Sequence, residues 1–156
     1  MRSLKFLIIG PAWVGDMVMS QALFKMLRAR DSQAIIDVVA PPWSGALLAR
    51  MPEVRRAIPL DAGHGELGLG ERYRVGRSLI AERYDHAIVL PRSAKAALIP
   101  FLASIPVRTG YRAEFRSMLL TDPRVLDRAR LDQTVKRLVA LALPPGDPLP
   151  ARIPHP

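Results

Sequence analysis

Short apolar runs alternate along this chain with stretches of helical periodicity, and that alternation constrains the fold more than any other feature. "LKFLIIG" (4–10), "AIIDVVA" (34–40), "RAIPL" (56–60), "DHAIVL" (85–90) and "VRTGY" (107–111) read as five strands. The first is apolar almost without interruption, as strands buried on both faces of a parallel sheet are. "DMVMSQALFKMLRAR" (16–30), "SGALLARM" (44–51), "ERYRVGRSLIAERY" (71–84), "AKAALIPFLAS" (94–104) and "LDQTVKRLVALAL" (131–143) read as helices. In the first of these, Met17, Leu23, Met26 and Leu27 are set toward one face, and the basic C-terminal end suits the helix dipole. Strands and helices in turn, joined by short loops, predict a doubly wound parallel α/β sheet with right-handed crossovers.

A single domain of 1–143 accommodates these elements. Residues 144–156 contain six prolines and read as a linker or tail rather than a packed element. No run of 18 apolar residues is present, and the basic, apolar start "MRSLKFLIIGPAW" lacks the small-residue cleavage site of a signal peptide. With no cysteine in the chain, nothing calls for an oxidising compartment, and a soluble cytoplasmic protein is expected. The formal net charge is +9, and only four of the 23 basic residues are lysine. Genomic base composition explains such an arginine excess as readily as function does. The charge itself still points to an anionic partner, since guanidinium forks match planar oxyanions. Nucleic acid is disfavoured, because aromatic residues are only 6% and no recognised binding motif occurs.

The segment "IIGPAWVGDMVMSQAL" (8–23) places a Gly-Asp pair, Gly15-Asp16, where the first strand gives way to the first helix. In an open parallel sheet this loop lines the ligand crevice. It is neither a G-x-G-x-x-G fingerprint nor a P-loop, because Asp16 stands where a P-loop carries lysine. The position has the geometry of an anion cradle with the wrong charge for an anion. Two readings stay open. Asp16 is a helix cap, or it is a general base that takes a proton from an attacking hydroxyl.

Several ordered blocks carry a family resemblance: "IIGPAWVGDMVMSQAL", "AIIDVVAPPW", "LLARMPEVRRAIPL", "GHGELGLGERYRVGRSL", "YDHAIVLPRSAKAALIPFLASIPVRTGYRAEFR" and "LLTDPRVLD". Over residues 4 to about 140 the chain resembles the N-terminal half of the lipopolysaccharide heptosyltransferases. The resemblance implies the Rossmann-like acceptor-binding domain of a GT-B glycosyltransferase. It also implies inverting transfer of heptose from ADP-heptose to a phosphorylated heptosyl-Kdo-lipid A acceptor at the membrane surface, with Asp16 as base and no cofactor. The family's donor-binding second domain has no counterpart in these residues, so the chain alone is expected to be inactive. A non-catalytic Rossmann-like domain binding a phosphorylated ligand or nucleotide is the alternative.

For acceptor contacts the candidates are Trp13, Gly15, His64, Arg92, Ser93, Lys95 and Arg112. Arg92, Ser93 and Lys95 follow the fourth strand and share the crevice side with Asp16; a solvated helix start is the plainer account of them. Trp13 and Trp43 follow strands 1 and 2, where an aromatic face stacks on a sugar or packs at the sheet edge. His64 lies between glycines, either as a mobile loop residue or as a contact to a Kdo carboxylate. At most two of Arg72, Arg74 and Arg77 can face the crevice from one helix. His86 belongs to the fourth strand and His155 to the tail, and they suggest no metal set.

Overall fold

The computed structural model describes residues 3–61, 68–113 and 116–156. Six strands run in chain order: β1 (Lys5–Ile9), β2 (Ile35–Ala40), β3 (Arg56–Pro59), β4 (His86–Val89), β5 (Val107–Tyr111) and β6 (Asp122–Arg124). They form one sheet in the order β3-β2-β1-β4-β5-β6, and every neighbouring pair is parallel. The helices are α1 (Val14–Arg30), α2 (Gly45–Leu48), α3 (Leu69–Ser78), α4 (Ala94–Leu102) and α5 (Thr134–Ala140). The doubly wound α/β architecture expected from the alternation is the one observed.

Strand pleating sorts the apolar residues into two cores. Phe6, Ile8, Ile36, Val38 and Ile88 point to the face covered by α1, α2 and α5. Leu7, Ile9, Val39, Ala87 and Val89 point to the face covered by α3 and α4. Both sides of β1 and β4 are therefore buried, which is why their sequences show no polar alternation. Two glycines are demanded by this packing. A Cβ at Gly10 would lie 2.8 Å from Met17 Cε, and one at Gly76 would lie 2.7 Å from Leu102 Cβ. Gly76 thus allows α3 to press against α4.

The structure departs from the sequence expectations in several places. α1 begins at Val14, two residues earlier than expected, and is capped by the backbone of Trp13. The expected helix at 44–51 is a 3-10 turn, Pro42–Ser44, followed by the single-turn α2. The expected helix at 71–84 is α3 followed by a 3-10 turn, Ile80–Glu82, because Arg83 adopts φ 53° and ends the helical path. The last helix is confined to Thr134–Ala140. β6 was not expected, since "DPR" carries no strand signature, yet Thr109, Gly110 and Tyr111 pair with it. The segment 144–156 has no helix or strand, but it is not free of the domain. Leu149 and Ile153 are half-buried against the α1–α5 core, and Lys25 Nζ donates to the His155 carbonyl.

Candidate active site at the carboxyl edge of the sheet

The chain winds from β1 outward to β3, then crosses back to β4 and winds outward the other way. The loops after β1 and β4 consequently diverge, and they open a crevice at the carboxyl ends of these two adjacent strands. Asp16 sits on the β1 side of this crevice, and Arg92, Ser93 and Lys95 sit on the β4 side. The β1 and β4 backbones are neighbours at a spacing of about 4.8 Å. Arg112 follows β5, one strand further out, and Trp43 follows β2 on the opposite side. The topology therefore gathers the sequence candidates along one edge.

Asp16 is the third residue of α1 and is half-exposed. Its backbone carbonyl accepts a hydrogen bond from Ser20 Oγ at 2.7 Å. Among the described residues its carboxylate takes no hydrogen bond and forms no ion pair, and Trp13 occupies the cap position. The reading of Asp16 as a side-chain cap is corrected accordingly. It stands inside the first turn, where the exposed N–H groups favour a negative charge nearby. Beside it Gly15 faces open space, with no atom within 4 Å of where a Cβ would lie. Packing does not require glycine there, and its bareness leaves room above the helix N-terminus. Trp13 and Trp43 are 63% and 49% exposed, so neither serves the core.

On the opposite wall Ser93 caps α4, its Oγ accepting from Ala96 N–H at 3.3 Å. Lys95 is half-exposed in the first turn of that helix. Arg92 and Arg112 are exposed, and among the described residues their guanidiniums make no hydrogen bond or ion pair. Arg130, in the loop after β6, is in the same condition and was not singled out from sequence. Burial pushes the Tyr111 hydroxyl above the usual tyrosine range, and the positive charges of Arg124, Arg130, Arg137 and Arg92 oppose that shift.

Arg116 was also missed. It is fully buried, and its guanidinium serves backbone oxygens: Nε and Nη2 donate to the Tyr111 carbonyl at 2.8 and 2.6 Å, and Nη1 donates to the carbonyls of Pro91 and Ser93. Only the neighbouring Gly110, where a Cβ would approach Nη2 to 3.1 Å, hints at it in the sequence.

His64 lies outside the described residues. The three arginines of α3 lie in different surroundings. Arg72 is 7% exposed, Arg74 pairs with Glu71, and Arg77 lies over the Tyr73 ring at 6.0 Å. Among the described residues no three His, Asp or Glu side chains are grouped as metal ligands, and no helix is long and apolar enough to cross a membrane. A cavity of about 350 Å³ exists at the other end of the sheet, where Phe6, His86, Asp122, Arg124 and Pro144 line it. Its polar groups are largely spoken for: His86 Nε2 meets Thr109 Oγ1 at 2.7 Å, Thr109 Oγ1 donates to Asp122, and Arg124 pairs with Asp122.

Known proteins share both sequence and fold with this chain. Lipopolysaccharide heptosyltransferase 2 of Salmonella typhimurium is 59% identical over 143 residues, 92% of this chain and 41% of that protein. Lipooligosaccharide heptosyltransferase 2 of Haemophilus influenzae is 48% identical over 157 residues, 97% of this chain and 45% of the relative. The structure of Escherichia coli ADP-heptose LPS heptosyltransferase II superposes with a TM-score of 0.84 at 49% identity, covering 97% of this chain and 46% of that one. The chain therefore spans somewhat under half the length of the relatives it matches. The family model for glycosyltransferase family 9 (heptosyltransferase) matches residues 72–152, just over half of the chain. On that match, reinforced by the resemblance already read from residues 4 to about 140, the chain belongs to glycosyltransferase family 9, the heptosyltransferases.

Proposed function

We propose that this chain is the acceptor-holding half of a heptosyltransferase of lipopolysaccharide core synthesis, with Asp16 as the general base. The observation that carries the reading is the half-exposed Asp16 carboxylate, which has no hydrogen-bond partner among the described residues and follows β1 at the switch point of the sheet, next to β4. The acceptor is a phosphorylated heptosyl-Kdo-lipid A and the donor is ADP-heptose, held by the remainder of a longer protein. An acceptor hydroxyl oxygen attacks the heptose C1, and its proton passes to the Asp16 carboxylate. The bond from C1 to the ADP oxygen breaks on the opposite side, the electron pair leaves with ADP, and the configuration inverts. Because ADP is a good leaving group, the base is asked only for a late proton transfer, a role that a carboxylate fills.

Each remaining candidate has a place in this scheme. Gly15 leaves space for the acceptor over the helix N-terminus. Trp13 offers a ring face to a sugar. Arg92, Lys95 and Arg112 supply positive charge to core phosphates and Kdo carboxylates, and Ser93 sets the start of α4. His64 is assigned the neighbouring Kdo carboxylate. The lipid A portion of the acceptor keeps the protein working against the inner face of the cytoplasmic membrane.

A titration tests this reading. The chain is titrated with a phosphorylated heptosyl-Kdo oligosaccharide and, separately, with DNA, over a range of salt. Tighter binding of the oligosaccharide, weakened by Arg92→Gln, is expected. Equal or stronger binding to DNA, or oligosaccharide binding indifferent to Arg92→Gln, contradicts it.

A further inference from the structure

Arg92 and Arg112 carry exposed guanidiniums, yet they stand on different loops, after β4 and β5. Loops that hold a charged ligand need a fixed spacing, and side chains in water do not provide one. The buried Arg116 does. Its Nη1 bonds the carbonyls of Pro91 and Ser93, the residues on either side of Arg92. Its Nε and Nη2 both bond the carbonyl of Tyr111, the residue before Arg112.

We infer that Arg116 is a positioning residue for acceptor binding: one planar guanidinium ties the backbone around Arg92 to the backbone before Arg112 and so fixes the spacing of the two cations. The inference rests on the functional reading above.

The chemistry suits arginine alone. The fork is flat and rigid, and its donors diverge far enough to reach two chain segments at once. Lysine presents a single ammonium, which reaches one segment or the other. Gly110 belongs to the same device, since a Cβ there would lie 3.1 Å from Nη2 and 3.3 Å from the Val89 carbonyl. The short 3-10 helix Arg116–Leu119 delivers the side chain inward, and Leu120 behind it is buried in the α3–α4 core. Arg116 thus belongs to the same connection as Arg112, between β5 and β6, and reaches across from it to the loop after β4.

The test uses the 156-residue chain and needs no turnover. Arg116→Ala, Arg116→Lys and Gly110→Ala are compared with the parent by amide exchange and by titration with the phosphorylated heptosyl-Kdo oligosaccharide. Gly110→Ala keeps the guanidinium but displaces it, so the proposal stays testable if Arg116→Ala fails to fold. Expected are faster exchange confined to residues 92–95 and 112–113, with the amides of β1 and β2 unchanged. Oligosaccharide affinity should fall about tenfold or more, the scale of hydrogen bonds to a charged group. Millimolar guanidinium should restore much of both in Arg116→Ala, while Arg116→Lys should remain impaired. Unchanged exchange at the two loops overturns the proposal. So does loosened exchange with affinity within about twofold of the parent. If the parent itself does not bind the oligosaccharide, the functional reading has failed, and exchange at the two loops then decides the coupling by itself.

Discussion

The two ends of the sheet treat charge in opposite ways. At the amino end, charged groups answer one another. Asp37 is fully buried in β2, and its carboxylate accepts from Arg55, Arg56 and the Tyr84 hydroxyl. Glu82 takes Lys5, Arg55 and Arg56, and Asp122 takes Arg124 and Thr109. At the carboxyl end, Asp16, Arg92, Arg112 and Arg130 have no such partners among the described residues. Groups that neutralise each other hold a fold together and have little left for a ligand. Groups left in solvent around a switch point contribute little to stability and remain available for binding. The comparison separates structural charge from functional charge more sharply than the net charge of +9 does.

Mutations at the two ends should therefore divide cleanly. The largest stability effect is expected at the amino end. Asp37→Ala should cost about 3 kcal/mol, the lower part of the range for breaking a buried pair, because Arg55 and Arg56 keep access to water. Urea unfolding measures this, and oligosaccharide affinity per folded molecule should not change. Acid sharpens the same point. Burial works against ionisation of Asp37, but hydrogen bonds from Arg55 and Tyr84 outweigh it and hold its pKa below the ordinary 3.8. A depressed carboxylate contributes stability above its ordinary value and loses it as pH falls through that value toward the folded one. The slope of stability below about pH 4 should be shallower in Asp37→Asn.

At the carboxyl end, Arg92→Gln and Arg112→Gln should each weaken oligosaccharide binding by about 1.5–3 kcal/mol while leaving the melting temperature unchanged, as calorimetry can show. A smaller effect belongs to His86. Burial depresses its pKa below 6.5, with Asp122 opposing and Arg124 assisting. The unfolded chain then binds more protons, so stability falls as pH drops through the ordinary value, and His86→Gln should flatten the melting-temperature profile between about pH 7 and 5. The smallest shift is expected for Gly15→Ala. With open space for the Cβ, alanine in the first turn should stabilise by about 0.5–1 kcal/mol, yet it should weaken acceptor binding by crowding the crevice.

The sequence made the central strands legible because burial on both faces leaves an unbroken apolar run, as in "FLII" of β1. It placed Asp16 at the crevice because a strand, a glycine loop and a helix in that order put it there in any doubly wound sheet. β6 was illegible for the opposite reason. A three-residue edge strand containing a proline owes its conformation to pairing with β5, not to its own residues. Arg116 was illegible because arginine is common in this chain, and nothing local marks the one whose donors are met by backbone carbonyls. Such a role exists only once β4, β5 and the following turn have come together. The tail misled for a related reason: proline content argues against helix and strand, but it does not keep Leu149 and Ile153 from covering α1 and α5.

The central claim is that the carboxylate at one end of the sheet does chemistry while the carboxylate at the other holds the fold. The direct measurement joins this chain to the remaining half of the Salmonella relative and makes Asp16→Asn and Asp37→Asn side by side, reading melting temperature and heptose transfer from ADP-heptose on the same preparations. Asp16→Asn should melt like the parent, since its side chain holds no cap, and should lose on the order of 10²–10⁴-fold in turnover as a removed general base does. Asp37→Asn should melt well below the parent and keep its turnover per folded molecule. Near-parental transfer by Asp16→Asn would contradict the account.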